Sequence, residues 1–187
     1  SLCSRGQDPA VLEAHIRKAT RVFRSYGLTS HVGVAVQVRG QCHLINHHSI
    51  PAKTPFYLDV ITDNGEGVTA NLKQIRVTED MITRLPDWDV AVIRLKVLPP
   101  STDITKYFAS EHYVGRLKGK YIGRDIDGKE WSAIVDNLEV VTSTWTSHGN
   151  QLTLPTWRGQ VAVPTSVGDC GSLLFSETPS GLAILGI

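Results

Sequence analysis

The heptapeptide Gly168-Asp169-Cys170-Gly171-Ser172-Leu173-Leu174 sets glycines on both sides of a cysteine, just ahead of an apolar pair. That spacing permits a sharp turn that exposes the sulfur and aims backbone N–H groups at a single point. Such donors stabilise the oxyanion of a tetrahedral intermediate, usually the largest catalytic contribution in acyl transfer. The same residues also describe a buried structural cysteine beside a tight turn, and by themselves they leave both readings open.

A nucleophilic cysteine needs a base, and the base needs a group that orients it. Seven histidines are available, two of them adjacent in Leu44-Ile45-Asn46-His47-His48-Ser49, where a strand runs out into a loop. Asp89 heads Asp89-Val90-Ala91-Val92-Ile93-Arg94-Leu95, which reads as a buried strand. An acid there is costly unless hydrogen-bonded, and an imidazole partner would account for it. A surface histidine pair and a strand-capping aspartate are the plain alternatives. The order His, Asp, Cys matches the base, orienter and nucleophile order of chymotrypsin.

The chain of 187 residues is 41% hydrophobic and 20% charged, enough for a sizeable core in one domain or two small ones. Its net charge of +1 exerts no global pull toward nucleic acid or membrane. No apolar run approaches the roughly 18–20 residues that cross a bilayer. Ser1-Leu2-Cys3-Ser4-Arg5 lacks the apolar stretch of a secretion signal. The cysteines are Cys3, Cys42 and Cys170. Their odd number, wide spacing and lack of a C-x-x-C pair argue against a disulfide framework or a zinc site. Free thiols suit a reducing compartment, the cytosol.

Periodicity predicts a helix over Pro9–Tyr26, with Val11, Leu12, Ala14, His15, Ala19, Val22 and Phe23 as its apolar stripe. Arg17, Lys18, Arg21 and Arg24 fall on the other side, and Gly27 closes it. Short strands follow: the alternating Val32, Val34, Val36 and Val38, then Cys42–Asn46, Phe56–Thr62, Gln74–Val77 and Asp89–Leu95. Asn64-Gly65 marks a turn. Beyond Pro99-Pro100, strands are expected over Tyr113–Ile122, Glu130–Val135, Leu138–Trp145, Gln151–Trp157 and Gly171–Phe175. Hairpin turns fall at Asp127-Gly128 and His148-Gly149-Asn150. The pattern suggests two packed β-barrels or sandwiches. The division is 1–98 for the helix and first barrel, 99–112 for a linker and 113–187 for the second barrel.

Pro164-Thr165-Ser166-Val167-Gly168-Asp169-Cys170-Gly171 resembles the Pro-Thr-x-x-Gly-x-Cys-Gly run of picornavirus 3C cysteine proteases. Gly-Asp-Cys-Gly itself resembles the nucleophile turn of chymotrypsin-like serine proteases, with sulfur in place of oxygen. Within the 3C family the hepatitis A virus type is most alike. Asp103-Ile104-Thr105-Lys106-Tyr107-Phe108, Trp157-Arg158-Gly159 and Ala183-Ile184-Leu185-Gly186-Ile187 are similar to runs in it.

The resemblance implies an all-β, chymotrypsin-like fold of two β-barrels with an N-terminal helix. It also implies a viral cysteine endopeptidase that cuts a polyprotein after glutamine, with no cofactor and no metal. It places the base on His48 rather than His47, the third member on Asp89 rather than Asp87, and the nucleophile on Cys170. The oxyanion hole falls to the backbone of Gly168, Asp169 and Cys170, and the reading of the substrate carboxamide to Thr165. Implied partners are the viral polyprotein, host proteins as substrates, and viral RNA, in the host cell cytoplasm. Arg17, Lys18, Arg21 and Arg24 are the candidate RNA patch. An RNA-binding replication factor, or an inactive protease-like assembly module, is the alternative. Two features depart from the family. The basic linker motif is reduced to Ser101-Thr102-Asp103-Ile104, and the pocket histidine expected after Gly186-Ile187 is absent. The second barrel is therefore expected to be truncated, with some 20–30 further residues in the natural protein.

Overall fold

The structure, a computed structural model, describes residues 9–27, 30–61, 72–109, 117–125, 129–162, 171–178 and 181–187. Helix α1 spans Pro9–Ala19 and buries Leu12, Ile16 and Ala19 at helical spacing. It stops seven residues short of the predicted end, because Thr20–Tyr26 forms strand β1. Val22 and Phe23, assigned by periodicity to the helix, are buried strand residues instead. Thr20, Val22, Phe23 and Tyr26 are β-branched or aromatic, types that fit a pleated surface better than a helix interior. Pairing on both edges of β1 overrides the weak helical pattern. The hydroxyl of Thr20 donates to the Ile16 carbonyl at 2.6 Å and closes the last helical turn.

The first sheet continues with β2 (Ser30–Arg39), β3 (Cys42–Asn46), β4 (Phe56–Ile61), β5 (Leu72–Val77), β6 (Ile82–Leu85) and β7 (Val90–Arg94). Its order is β5-β4-β1-β2-β3-β7-β6, all antiparallel. Strand β6 has no counterpart in the sequence reading. The valine alternation of β2 gives way to a run buried on both faces, Val34 to Val38. Ala35 faces a core with Phe23, Ile45, Phe56, Leu58 and Ile93. Val36 and Val38 face a second core with Leu12, Ile16, Ile122, Leu173 and Phe175, which joins the helix to the other sheet. Asn64-Gly65 lies outside the described residues.

The second sheet comprises β8 (Leu117–Arg124), β9 (Glu130–Ser147), β10 (Asn150–Val161), β11 (Leu173–Thr178) and β12 (Gly181–Gly186), in the order β10-β9-β8-β11-β12. The two strands predicted over Glu130–Val135 and Leu138–Trp145 are one 18-residue strand, bent at Asn137 where φ is 55°. Up to Leu138, β9 pairs with β8; from Glu139 to Ser147 its partner among the described residues is β10 alone. That stretch is a two-stranded ribbon about 30 Å long. It closes through His148 and Gly149, with φ of 50° and 78°, the backbone a two-residue hairpin requires. Asp127-Gly128 lies outside the described residues.

Arg124, buried on β8, ties the sheets together. Its Nε donates to the Thr20 carbonyl at 2.6 Å and its Nη2 to that of Arg17 at 2.7 Å. A guanidinium thereby satisfies carbonyls at the end of α1, where the helix dipole favours a cation. The connection between the sheets runs beside β2 and then β12. Ile104 donates to Val38, and Ala109 donates to Ile184, each at 2.9 Å. Among the described residues no helix is long and apolar enough to cross a membrane.

Candidate active site

Antiparallel pairing of β3 with β7 sets Asn46 opposite Val90, so the residues just beyond face each other across the strand ends. His47–Ser49 form a short 3-10 turn after β3, and the backbone N–H of His47 donates to the Asp89 carbonyl at 3.0 Å. Asp89 follows another 3-10 turn, Pro86–Trp88, in the left-handed conformation with φ 52° and ψ 40°. Aspartate tolerates that backbone better than most residues. Its effect is to turn the carboxylate inward rather than along the strand.

Asp89 is 3% exposed, and its carboxylate accepts four hydrogen bonds from the described residues. His48 donates twice: its Nδ1 to Oδ2 at 2.6 Å and its backbone N–H to Oδ1 at 2.9 Å. Trp145 Nε1 donates to Oδ2 at 3.1 Å, and Ser147 Oγ to Oδ1 at 3.4 Å. Burial pushes the carboxyl pKa up, but the His48 ring, its backbone N–H, its charge and the Trp145 indole outweigh this. Asp89 is held below the usual aspartate value and is ionised at neutral pH. The His48 side chain remains about one third exposed, at the rim. Its Nδ1–H is thus fixed by a carboxylate, the arrangement that leaves Nε2 as the basic nitrogen.

His47 is placed differently. It is 7% exposed, and Arg84 Nη1 donates to its Nε2 at 3.0 Å. The His148 ring meets it edge-on at 4.5 Å between centroids. Burial, His148 and Arg84 depress its pKa against the opposing pull of Asp89 and Glu79. With its lone pair taken up by a guanidinium, His47 is a poor proton acceptor. Asp87 lies in the Pro86–Trp88 turn, exposed, and Cys42 is a half-buried free thiol on β3.

Thr165, Gly168, Asp169 and Cys170 lie outside the described residues. Gly171, the next residue after Cys170, is described. It is buried with φ +96° and packs on the carbonyl of Val34 in β2. The second sheet's glycine turn therefore reaches the strand that also touches the His47–Ser49 turn.

The four cations assigned to one helical face are divided by the structure. Arg17 pairs with Glu13 at 2.7 Å and Glu130 at 3.5 Å. Arg21 and Arg24 lie on β1, with Arg21 bonded to Gln37 at 2.8 Å, so only Lys18 remains an exposed helical cation. No motif in the sequence marks Trp145, Ser147 or Arg84 as residues of the site. The His148-Gly149 turn was visible there, but not the surface its tip meets.

No family model and no curated protein matches the chain. Solved structures do. The active form of the Rv3671c protease of M. tuberculosis aligns over 95% of this chain and 82% of its own, with TM-score 0.62 and 15% identity. The MamO protease domain of Magnetospirillum magneticum covers 92% of both chains, with TM-score 0.60 and 13% identity. Catalytically active tobacco etch virus protease, complexed with product, matches 89% of this chain and 66% of its own, with TM-score 0.61 and 16% identity. At these identities the likeness is one of fold. The chain has the chymotrypsin-like protease architecture, two curled antiparallel sheets with a short helix.

Proposed function

We propose that this chain is a chymotrypsin-like cysteine endopeptidase of the 3C type, with Cys170 as nucleophile, His48 as base and Asp89 as orienter. The observation that carries the reading is the His48–Asp89 pair, an imidazole bonded through Nδ1 at 2.6 Å to a buried, ionised carboxylate. It stands in a fold shared with solved proteases. His48 Nε2 takes the thiol proton of Cys170, and the sulfur attacks the carbonyl carbon before the scissile bond. The carbonyl oxygen becomes an oxyanion facing the backbone of Gly168, Asp169 and Cys170. Collapse expels the amine, which receives the proton from His48 and leaves an acyl-enzyme. Water, deprotonated by the same imidazole, then releases the acid and the free thiol.

The substrate class, a viral polyprotein cut after glutamine in the host cell cytoplasm, comes from the resemblance of residues 164–171 to the 3C run, with Thr165 reading the carboxamide. The test is incubation with short peptides holding Gln-Gly or Gln-Ser, alongside Cys170→Ala. Cleavage after glutamine by the native chain alone is expected. Cleavage at an equal rate by Cys170→Ala would remove the nucleophile.

A further inference from the structure

The ribbon made by β9 and β10 leaves its sheet at Leu138 and ends, nine residues on, against the turns that hold His48 and Asp89. An isolated two-stranded hairpin is marginal in water, so what its tip touches decides where it sits. Among the described residues the tip makes three polar contacts and one ring contact to these turns. Trp145 and Ser147 reach the Asp89 carboxylate, His148 Nε2 donates to the His47 carbonyl at 2.8 Å, and its ring packs on that of His47.

The bonds to Asp89 are distributed one per oxygen from each side. Oδ1 takes the His48 N–H and the Ser147 hydroxyl; Oδ2 takes the His48 ring and the Trp145 indole. With the His48 donors alone, the carboxylate plane would be referenced only to the turn it must orient. The ribbon supplies an independent pair of donors. We propose that Trp145 and Ser147 are positioning residues, through which the second sheet fixes the Asp89 carboxylate and, by way of it, the His48 imidazole. This rests on the protease reading above. Its consequence is that the base, carried by the first sheet, is referenced to the sheet that carries Gly171 and its neighbour Cys170.

The effect has a sign. The indole N–H points its positive end at Oδ2 and draws charge from it. Without that donor the carboxylate holds the imidazolium more strongly, so the His48 pKa rises. Among the described residues the other titratable groups here are His47 and, around it, Arg84, Glu79 and His148. Neither Trp145→Phe nor Ser147→Ala changes any of these charges.

The test is NMR titration of ¹⁵N-histidine-labelled chain carrying Cys170→Ala, which removes the thiol from the titration. Adding Trp145→Phe should raise the His48 pKa by about half a pH unit and hasten solvent exchange of its Nδ1–H. Ser147→Ala, which removes a longer bond, should act in the same direction but less. Trp157→Phe, on the same ribbon, should leave His48 unmoved. An equal His48 titration in Trp145→Phe and Trp157→Phe, both folded, overturns the proposal; if Trp145→Phe does not fold, an unmoved titration in Ser147→Ala does so. In chain with Cys170 intact, Trp145→Phe should lower kcat on a glutamine peptide about tenfold at unchanged KM, roughly the strength of one hydrogen bond to a charged group. Failure of every chain to cleave would sink the protease reading and leave the titration comparison standing.

Discussion

Gly171 lies so close to β2 that a Cβ on it would fall 1.8 Å from the carbonyl oxygen of Val34 and 2.8 Å from its carbon. Its φ of +96° is also one that residues with side chains rarely adopt. The glycine after the proposed nucleophile is therefore required twice, by its backbone conformation and by the approach of one sheet to the other.

Gly171→Ala should destabilise the chain by about 3 kcal/mol or more, or prevent folding, since the backbone at Val34 is held by its pairing with Val22 of β1 and cannot yield. Gly186→Ala, with open space around it, should be nearly neutral. Urea denaturation of the two variants makes the comparison, and a Gly171→Ala chain as stable as the native one would contradict the contact.

The adjacent histidines should separate by phenotype. His48→Ala is expected to lose about 10³-fold or more in kcat/KM, the usual fate of a site without its base. His47→Ala should retain turnover but lose about 1–3 kcal/mol of stability, because it strips Arg84 and the ribbon tip of a partner. Peptide kinetics and thermal unfolding, run on both, would reveal an exchanged assignment.

Asp89→Asn keeps the shape and places an amide N–H₂ among groups that all donate. A loss on the order of 10²-fold in kcat/KM is expected, together with a lower melting temperature. The exposed Asp87→Ala should change neither by much. A larger loss at Asp87 would move the orienting role there.

His43 should make the fold acid-sensitive without taking part in chemistry. It is fully buried on β3, donates through Nδ1 to the Gln41 carbonyl at 3.1 Å, and has its pKa pushed down to about 4, first by burial and then by Arg21. The unfolded chain binds this proton near pH 6.5 and the folded chain only near 4. Its stabilising contribution is thus complete above pH 6.5 and falls by up to about 3 kcal/mol as pH drops through that window. Asp89, with its depressed pKa, adds a loss of the same sign at more acid pH. His43→Leu should flatten the curve of stability between pH 6.5 and 5; an unaltered slope would show that another group titrates.

Thr165→Val should reduce the preference for glutamine over a matched apolar residue while sparing reactivity toward a small activated ester. A hydroxyl that pairs with a buried carboxamide acts mostly on discrimination. An unchanged ratio of kcat/KM values would remove Thr165 from the pocket.

Much of the architecture is local and therefore legible. Strands such as Cys42–Asn46 and Phe56–Ile61 announce themselves by apolar content between turn residues, and the His148-Gly149 hairpin by the positive φ that glycine supplies most readily. The cost of a buried acid at the head of a strand pointed to an imidazole beside Asp89, and the β3–β7 register is what brings His48 there. Three features were misread or missed for one reason. Val22 and Phe23 fit a helical stripe, β6 is only four residues long, and β9 bends at Asn137 without breaking. In each case the outcome depends on which neighbouring strand is available to pair.

The sequence by itself determined the turn chemistry around Gly149 and Gly171, most of the strands, and the chain order His48, Asp89, Cys170. Those are properties of residue types and short spacings, which local sterics and hydrophobic alternation express directly. Only the tertiary structure decided that the chain after Ala19 becomes a strand, that Arg124 closes the helix, and that Trp145 and Ser147 hold Asp89. Trp145 and Ser147 lie 56 and 58 residues from Asp89 along the chain. No local propensity encodes a bond across such a distance; it forms because two sheets bury their faces against each other and carry the ribbon tip to a carboxylate that water no longer reaches.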